Sequence, residues 1–268
     1  MKKVHIPLIS FIILTWNSEK IIRKCLKSIS NKCNQEKIIY EIHIIDNGSS
    51  DKTVKFIQDI SIELPIELIE LDSNRGTTFS RNIGLKRCEG KIVCILDSDT
   101  ELKSGSVREI VSLFQDKTVG IVAPKLVLSD GTIQNSVKKF PSLLNKILKI
   151  PKIIFKIKIK DYDFYDNFPF HCVTDVDTAI SACWFIKRKL IEEVGMFDKK
   201  IFYSPEDIDF CLRVRKTNKR IIYYPYFTTL HYTQQISHKK IINKLTLSHF
   251  LGLIYYFIKH RYFRRPKL

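Results

Sequence analysis

In the first half of the chain, short unbroken apolar runs alternate with stretches of helical period. Residues Leu8 to Leu14 are almost wholly apolar and β-prone, the composition of a strand buried on both faces. Ile21, Ile22, Cys25, Leu26 and Ile29 then share one stripe, and Ser18 stands where it would cap the helix they predict. A second strand, Glu41 to Ile45, ends in Asp46-Asn47-Gly48-Ser49-Ser50-Asp51, a turn that also caps the following helix. Ile66 to Leu71 is a third strand. A helical segment opening at Gly76 leads to a fourth, Ile92 to Leu96, which runs into Asp97-Ser98-Asp99. This alternation predicts an α/β fold with a mostly parallel central sheet and helices on both faces. Ligands of such sheets sit beyond the carboxyl ends of the strands, which places Thr15, Asp46 and Asp97 along one edge.

The second half is less regular. Val119 to Val127 reads as a strand whose Pro124 implies a sheet edge or a bend. Residues 140–160 are basic and apolar, interrupted by Pro141 and Pro151. Asp175 to Ile186 is a further strand region, and Lys189 to Val194 a short helix. Ser204-Pro205-Glu206-Asp207 opens a helix through Lys216, with Asn218 as a left-handed stop. Ile221 to Tyr224 is a late strand, followed by His231 and a helical tail rich in aromatic and basic residues. The expected organisation is one domain over residues 1–238 and an amphipathic basic tail over 239–268.

Composition changes this picture at two points. Lys and Arg total 45 against 28 Asp and Glu, a net charge of +17 that draws polyanions: nucleic acid, anionic headgroups or a phosphorylated substrate. Cysteines 25, 33, 88, 94, 172, 183 and 211 form no C-x-x-C pair, and their scatter through apolar segments suits buried free thiols in a reducing compartment. Met1-Lys2-Lys3 before an apolar run imitates a secretion signal, but Pro7 interrupts it and no small-residue cleavage site follows, so the run is read as the first strand and the protein as intracellular. In the tail, Phe250 to Ile258 is far shorter than the roughly 20 residues that span a bilayer. Its basic flanks, with the run from Lys146 to Lys160, suit the headgroup boundary instead. The bland alternative is a tail packed on the domain with its charges solvated.

Candidate chemistry begins at Asp97-Ser98-Asp99, where two carboxylates at the mouth of a buried strand can approach one hard cation, Mg²⁺ or Mn²⁺, through oxygen. Such an ion could bridge a diphosphate and stabilise it as it leaves. The competing reading is a solvated acidic turn ahead of Ser104-Gly105-Ser106. Haloacid-dehalogenase-type phosphatases share the pattern but favour Thr or Val where Glu101 stands. In Phe202-Tyr203-Ser204-Pro205-Glu206-Asp207-Ile208-Asp209, Ser204 as N-cap, Pro205 at the first helical position and Asp207 in a variant capping box explain much. Capping does not require three acids in four residues, and a carboxylate here could accept the proton of an incoming hydroxyl.

Taken in order, Thr15-Trp16-Asn17-Ser18, Asp46 to Asp51, Asn74-Arg75-Gly76 with Arg81-Asn82-Ile83-Gly84, Asp97-Ser98-Asp99, and Glu206-Asp207 resemble the inverting family 2 glycosyltransferases of GT-A fold. The flavour is similar to bacterial rhamnosyltransferase-type members that build surface polysaccharides. Ser181-Ala182-Cys183, Glu192 through Asp198, and Pro225 followed by His231 extend the resemblance from about Ile9 to His231. It implies that Thr15 and Asp46 contact the nucleobase, Asp46 accepting from a pyrimidine N3–H, with Arg81 near base and phosphates. It further implies Asp97 near ribose and sugar hydroxyls, Asp99 on the metal, Asp207 as base and Glu206 holding the acceptor or a metal-shell group. His231 stands where several members supply a metal ligand, although a lone His after a strand is often structural. Asp209 reads as a helix-start or supporting acid. Residues 140–171 match no shared motif and are where acceptor recognition is expected.

The implied function is transfer of a sugar, with inversion, from a dTDP- or UDP-sugar, dTDP-rhamnose among the candidates, to a glycan or polyprenyl-linked acceptor. The implied place is the cytoplasm, on the inner face of the cell membrane. The alternative from another class is a non-catalytic basic protein that binds membrane or nucleic acid. Against nucleic acid stand the acidic motifs and the lack of any helix-turn-helix, zinc-finger or RNP signature. A nucleotidyltransferase would want a Gly-rich loop where Trp16-Asn17-Ser18-Glu19 stands.

Overall fold

The structure is a computed structural model that describes residues 6–148, 161–233, 244–262 and 264–266. Four strands form the parallel half of one sheet in the order β3-β2-β1-β4: β1 (Ile9–Thr15), β2 (Tyr40–Asp46), β3 (Ile66–Glu70) and β4 (Ile92–Asp97). The path continues through β10 (Cys183–Lys187), β6 (Val119–Val127) and β11 (Arg220–His231) to β5 (Thr100–Ser104) at the edge. Strand β10 is antiparallel to both neighbours, β11 is parallel to β6, and β5 is antiparallel to β11. Short β8 (Thr174–Val176) pairs with β11, and β7 (Val137–Lys138) with β9 (Thr178–Ala179). This is a mixed sheet with a parallel half, covered by helices on both faces, as the alternation of runs predicts.

Strand β1 shows why the sheet needs cover on both sides. Ile9, Phe11 and Ile13 enter one core while Ile12 enters the other. Against the first core pack α1 (Ile22–Gln35), α2 (Thr53–Ile60) and α4 (Val107–Leu113). Against the second pack α3 (Thr77–Arg87), α6 (Arg188–Val194), α7 (Glu206–Lys216) and α8 (Lys244–His260), while α5 (Leu143–Leu148) lies beside that layer. Register carries the chemistry to one edge: Thr15 lies opposite Asp46, Leu14 opposite Asp97, and His231 opposite Thr100.

Several local expectations change. Strand β6 is interior rather than an edge, and the bend at Pro124 is absorbed by a register shift in β11 between Tyr224 and Thr228. That strand continues to His231, well past Tyr224. Ser18 does not cap α1 with its side chain; its carbonyl accepts from the amides of Ile21 and Ile22. At α7 the N-cap is Pro205, with no side-chain cap bond, so the Ser204 capping box does not form. Asn218 does end α7 in the left-handed region, at φ 59°. All seven cysteines are free and only Cys172 is exposed.

The tail helix is built into the domain. Tyr256 and Phe257 are buried in the second core, and a Cβ on Gly252 would run into the carbonyl oxygen of Ser204. Buried Asp209 accepts from Arg213 Nε at 3.0 Å, Lys259 Nζ at 2.6 Å and His260 Nε2 at 2.8 Å. Lys259 also reaches Asp198 at 2.8 Å, so two acids of the domain hold the tail's last turn. The expected boundary at 238/239 and most of the basic run 146–160 lie outside the described residues. No helix among the described residues is long and apolar enough to cross a membrane.

Candidate functional site

Asp97 ends β4 and Asp99 follows it in the turn to β5, while β11 returns alongside β5 and delivers His231 to the same corner. Each of the three offers one ligand atom, and these atoms lie within 4.8 Å of one another. His231 Nε2 is 3.4 Å from Asp99 Oδ1. The other ring nitrogen, Nδ1, lies 2.8 Å from Gln134 Oε1, an acceptor that requires Nδ1 to carry the proton. Burial lowers the pKa of His231, but the bond to Asp99 and its charge outweigh this and raise it. A cation bound at Nε2 would take the place of the proton there, with the Nδ1–H held by Gln134 fixing the ring. Two carboxylates and one imidazole fit a divalent cation such as Mn²⁺; the nitrogen weighs against Mg²⁺, which prefers oxygen. Partial burial raises the pKa of Asp97; Arg81 opposes this, and the charge of Asp99 adds to it. A bound cation would relieve that repulsion.

Arg81, buried in α3, organises the other side. Its guanidinium donates to Asp97 Oδ1 at 2.6 Å and to Ser181 Oγ at 2.8 Å, and lies 3.5 Å from Glu206 Oε1. The tight partner is Asp97, so Glu206 is only weakly compensated. Burial, and then the charge of Asp207, push the pKa of Glu206 up to about 8 despite Arg81. Burial also raises Asp207, against the Ile208 amide bond and the positive charges of Lys138 and Arg81. The two carboxyls titrate as a pair, and burial, with the charge of Asp207 on Glu206, favours keeping one proton between them. An oxygen of Asp207 accepts from the Ile208 amide at 2.7 Å, a contact with its own neighbour that falls short of a cap.

One cavity of about 470 Å³ is lined by Asp97, Asp99, His231, Arg81, Glu206 and Asp207 together. Thr15 and Asp46 do not line it. Both are buried, and Asp46 accepts from Thr15 Oγ1 at 2.9 Å, Ser49 N at 2.8 Å and Ser49 Oγ at 2.6 Å. A carboxylate has about four acceptor positions, so one stays open for a base. Asp209, bound to Arg213, Lys259 and His260 behind α7, is structural. Sequence reasoning missed Gln134, the partnership of Ser181 with Arg81, and the 2.9 Å contact of Ser18 Oγ with Ser98 Oγ. Ser181 did stand in a recognised motif, but Gln134 lies in a stretch without any signal.

The chain resembles known glycosyltransferases in sequence and in fold. The chain is similar to the low-salt glycan biosynthesis hexosyltransferase of Haloferax volcanii, 23% identical over 80% of this chain and 63% of that one. It is also similar to the poly(ribitol-phosphate) beta-N-acetylglucosaminyltransferase TarS of Staphylococcus aureus, 26% identical over 73% of this chain and 35% of that one. The chain thus spans less than two thirds of either relative. Among solved structures, a mannosyltransferase from Pyrobaculum calidifontis in complex with GDP-Man and Mn²⁺ superposes with a TM-score of 0.61 at 19% identity, covering 98% of this chain and 67% of that one. The glycosyl transferase family 2 model matches residues 10–195, a span that takes in the first four strands, the Asp97–Asp99 turn and Ser181. More than half of the sequence lies within that match, and the chain belongs to glycosyl transferase family 2.

Proposed function

We propose that the chain transfers a sugar, with inversion and with a divalent metal, from a pyrimidine nucleotide-sugar to a hydroxyl of a glycan or polyprenyl-linked acceptor. The observation that carries this reading is a single cavity holding both the Asp97–Asp99–His231 corner and the Glu206–Asp207 pair. Asp207 takes the proton of the acceptor hydroxyl as its oxygen bonds to the anomeric carbon; the bond from that carbon to the diphosphate oxygen breaks in the same step. The proton ends on Asp207, the electron pair on the departing nucleoside diphosphate, and no covalent enzyme intermediate forms. Asp99 and His231, with Asp97 alongside, would hold the metal, which when bound would supply positive charge to the leaving diphosphate. Arg81 keeps Asp97 and Glu206 in place, Thr15 and Asp46 hold the base-binding turn, and Glu206, carrying the shared proton, hydrogen-bonds the acceptor. The names of the two relatives and the ligands of the mannosyltransferase structure support the reaction class.

Asp99→Asn is the direct test of the metal. It keeps the size of the side chain and removes the charged ligand, so Mn²⁺-dependent binding of UDP or dTDP should weaken at least roughly ten-fold and transfer should fall by about 10²-fold or more. Nucleotide affinity and rate are read on one preparation whose melting temperature is unchanged. Full activity there removes the metal from the reading.

The same reading places the chain on the cytoplasmic face of a membrane. Outward from α8 point Leu247, Phe250, Leu251, Ile254 and Ile258, each between 42% and 69% exposed, at helical spacing on one stripe. Leu144 and Ile147 of α5 are exposed as well. With a net charge of +17, such a stripe suits an anionic surface. Deleting 239–268 is a poor test, since it removes buried Tyr256 and Phe257 and leaves Asp209 without Lys259 and His260. The combined change Leu247→Ser, Phe250→Ser, Leu251→Ser and Ile254→Ser spares both. It should lower partitioning onto phosphatidylglycerol-containing liposomes at least roughly ten-fold, given about 1.5–3 kcal/mol per large side chain. Equal sedimentation of variant and wild type with liposomes would end the membrane reading.

A further inference from the structure

Behind Asp207 lies a second recess, of about 100 Å³, that shares Ile180, Ser204 and Asp207 with the main cavity. Neither Asp97, Asp99 nor His231 lines it, so it is separate from the metal corner. Its walls are cationic: Lys138, Lys139 and Lys146 line it, against the carboxylates of Asp163 and Asp207. Lys146 is bound to Asp163 at 2.9 Å. Lys138 and Lys139 instead lie over the rings of Phe164 and Tyr165, at 4.8 Å and 5.5 Å, and among the described residues neither pairs with a carboxylate. Ser136 adds an independent sign of a missing ligand. It is 2% exposed, lines the recess, and its hydroxyl has no hydrogen-bond partner. A buried hydroxyl left unsatisfied is destabilising, and a ligand oxygen would relieve it. The tail contributes His249, whose neighbours Phe250 and Leu251 belong to the exposed stripe. The protein around its ring, and then the charges of Lys146 and Lys138, lower the pKa of His249 to about 4 although the residue keeps solvent access.

We propose that this recess is a subsite for a phosphate group of the acceptor. Resting on the transferase reading above, it places the reacting hydroxyl at Asp207 in the main cavity and the acceptor's phosphate against Lys138, Lys139 and the Ser136 hydroxyl. His249 closes the recess as a neutral hydrogen-bond donor, with its neutral ring turning one N–H to the anion. The donor's own diphosphate has its place at the metal corner and makes no demand on these residues. A phosphate here has two chemical sources. A lipid-linked saccharide would leave the recess along the stripe that begins beside His249; a phosphodiester-containing glycan would run across the surface.

The probe is inorganic phosphate, titrated into the intact chain with EDTA present and followed by ³¹P NMR line broadening. Saturable binding is expected, weakened about ten-fold or more in Lys138→Gln, since hydrogen bonds to charged groups contribute about 1.5–3 kcal/mol. Ser136→Ala should weaken it as well, by about three-fold or more. Lys27→Gln and Lys32→Gln remove the same charge from α1 and should leave the affinity unchanged. Melting temperatures confirm that each variant is folded. Tighter competition by geranyl diphosphate would support the lipid-linked source, and by glycerol 3-phosphate the phosphodiester source. Binding that is absent, or equally strong in Lys138→Gln and Ser136→Ala, overturns the subsite. Nucleotide binding with Mn²⁺, measured on the same wild-type sample, separates the outcomes: its failure would sink the transferase reading while a phosphate site sensitive to Lys138 stood.

Discussion

Asp207→Asn is expected to slow sugar transfer by roughly 10²–10⁴-fold while the protein keeps its fold and its affinity for the donor. The substitution retains an oxygen that can accept from the Ile208 amide as Asp207 does. Because α7 starts at Glu206 with Pro205 as its cap and no side-chain cap bond, little helix stability depends on the charge. What is lost is the proton acceptor. The wild-type pH profile gives a second readout. Burial raises both Glu206 and Asp207, and a base works only in its deprotonated form, so kcat/KM should climb with pH through a limb above the ordinary carboxylate range. That limb belongs to the coupled pair. In Asp207→Asn the residual rate should lose the original limb, because Glu206 then titrates without a charged neighbour. An Asp207→Asn protein that transfers sugar at a near-normal rate would return the base to Glu206 and leave Asp207 as a helix-start residue.

Much of this site is legible in the sequence because it sits where buried parallel strands end. An apolar run such as Ile92 to Leu96 can be recognised by composition, and the residues that follow it must emerge at the sheet's carboxyl edge. The same logic found Thr15 and Asp46, although Asp46 proves to be occupied by Thr15 and Ser49 rather than facing the cavity. His231 was reachable only through the family resemblance, since it comes to Asp99 by a strand paired across long separations. Gln134 had no signal at all: an amide that orients a histidine ring leaves no periodicity and no motif. The tail shows a different limit. Tyr256 and Phe257 point into the core while Leu247, Phe250 and Leu251 point out, so both faces of one helix are apolar. Periodicity marks such a helix as amphipathic only when one face is polar, and here it could not say which face meets protein. The acids of the Glu206 to Asp209 run were equally hard to divide. Spacing sets them within one turn, but only the sheet and α8 determine that Glu206 and Asp207 face the cavity and Asp209 the interior.

Asp209→Asn, two residues from the proposed base, should have the opposite phenotype, a large loss of stability. Its side chain is 1% exposed and receives Arg213, Lys259 and His260 at 2.6–3.0 Å. Burial alone would raise its pKa; the His260 bond, Arg213 and Lys259 outweigh this and hold it far below the usual carboxylate range. A depressed folded-state pKa means that the stabilisation is complete above the unfolded value of about 3.9 and disappears as pH falls below it. At neutral pH the full contribution is therefore at stake. Breaking a buried ion cluster by neutralising one partner costs about 3–5 kcal/mol, because the remaining charges stay desolvated. For a chain of this size that corresponds to a fall of roughly 6–20 °C in melting temperature. Arg213 adds leverage, since it also donates to the carbonyls of Val194, Gly195 and Met196 at the end of α6. Lys259 links the cluster to Asp198, so α6, α7 and α8 should loosen together. The measurement is thermal unfolding of Asp209→Asn beside Asp207→Asn at pH 7 and pH 3.5. The deficit of Asp209→Asn should be large at pH 7 and smaller at pH 3.5, where protonation removes part of the wild-type advantage, while Asp207→Asn stays close to wild type at pH 7. A melting temperature for Asp209→Asn within about 2 °C of wild type at pH 7 would mean that the cluster only just repays its desolvation, and that apolar packing of Tyr256 and Phe257 alone keeps α8 on the domain.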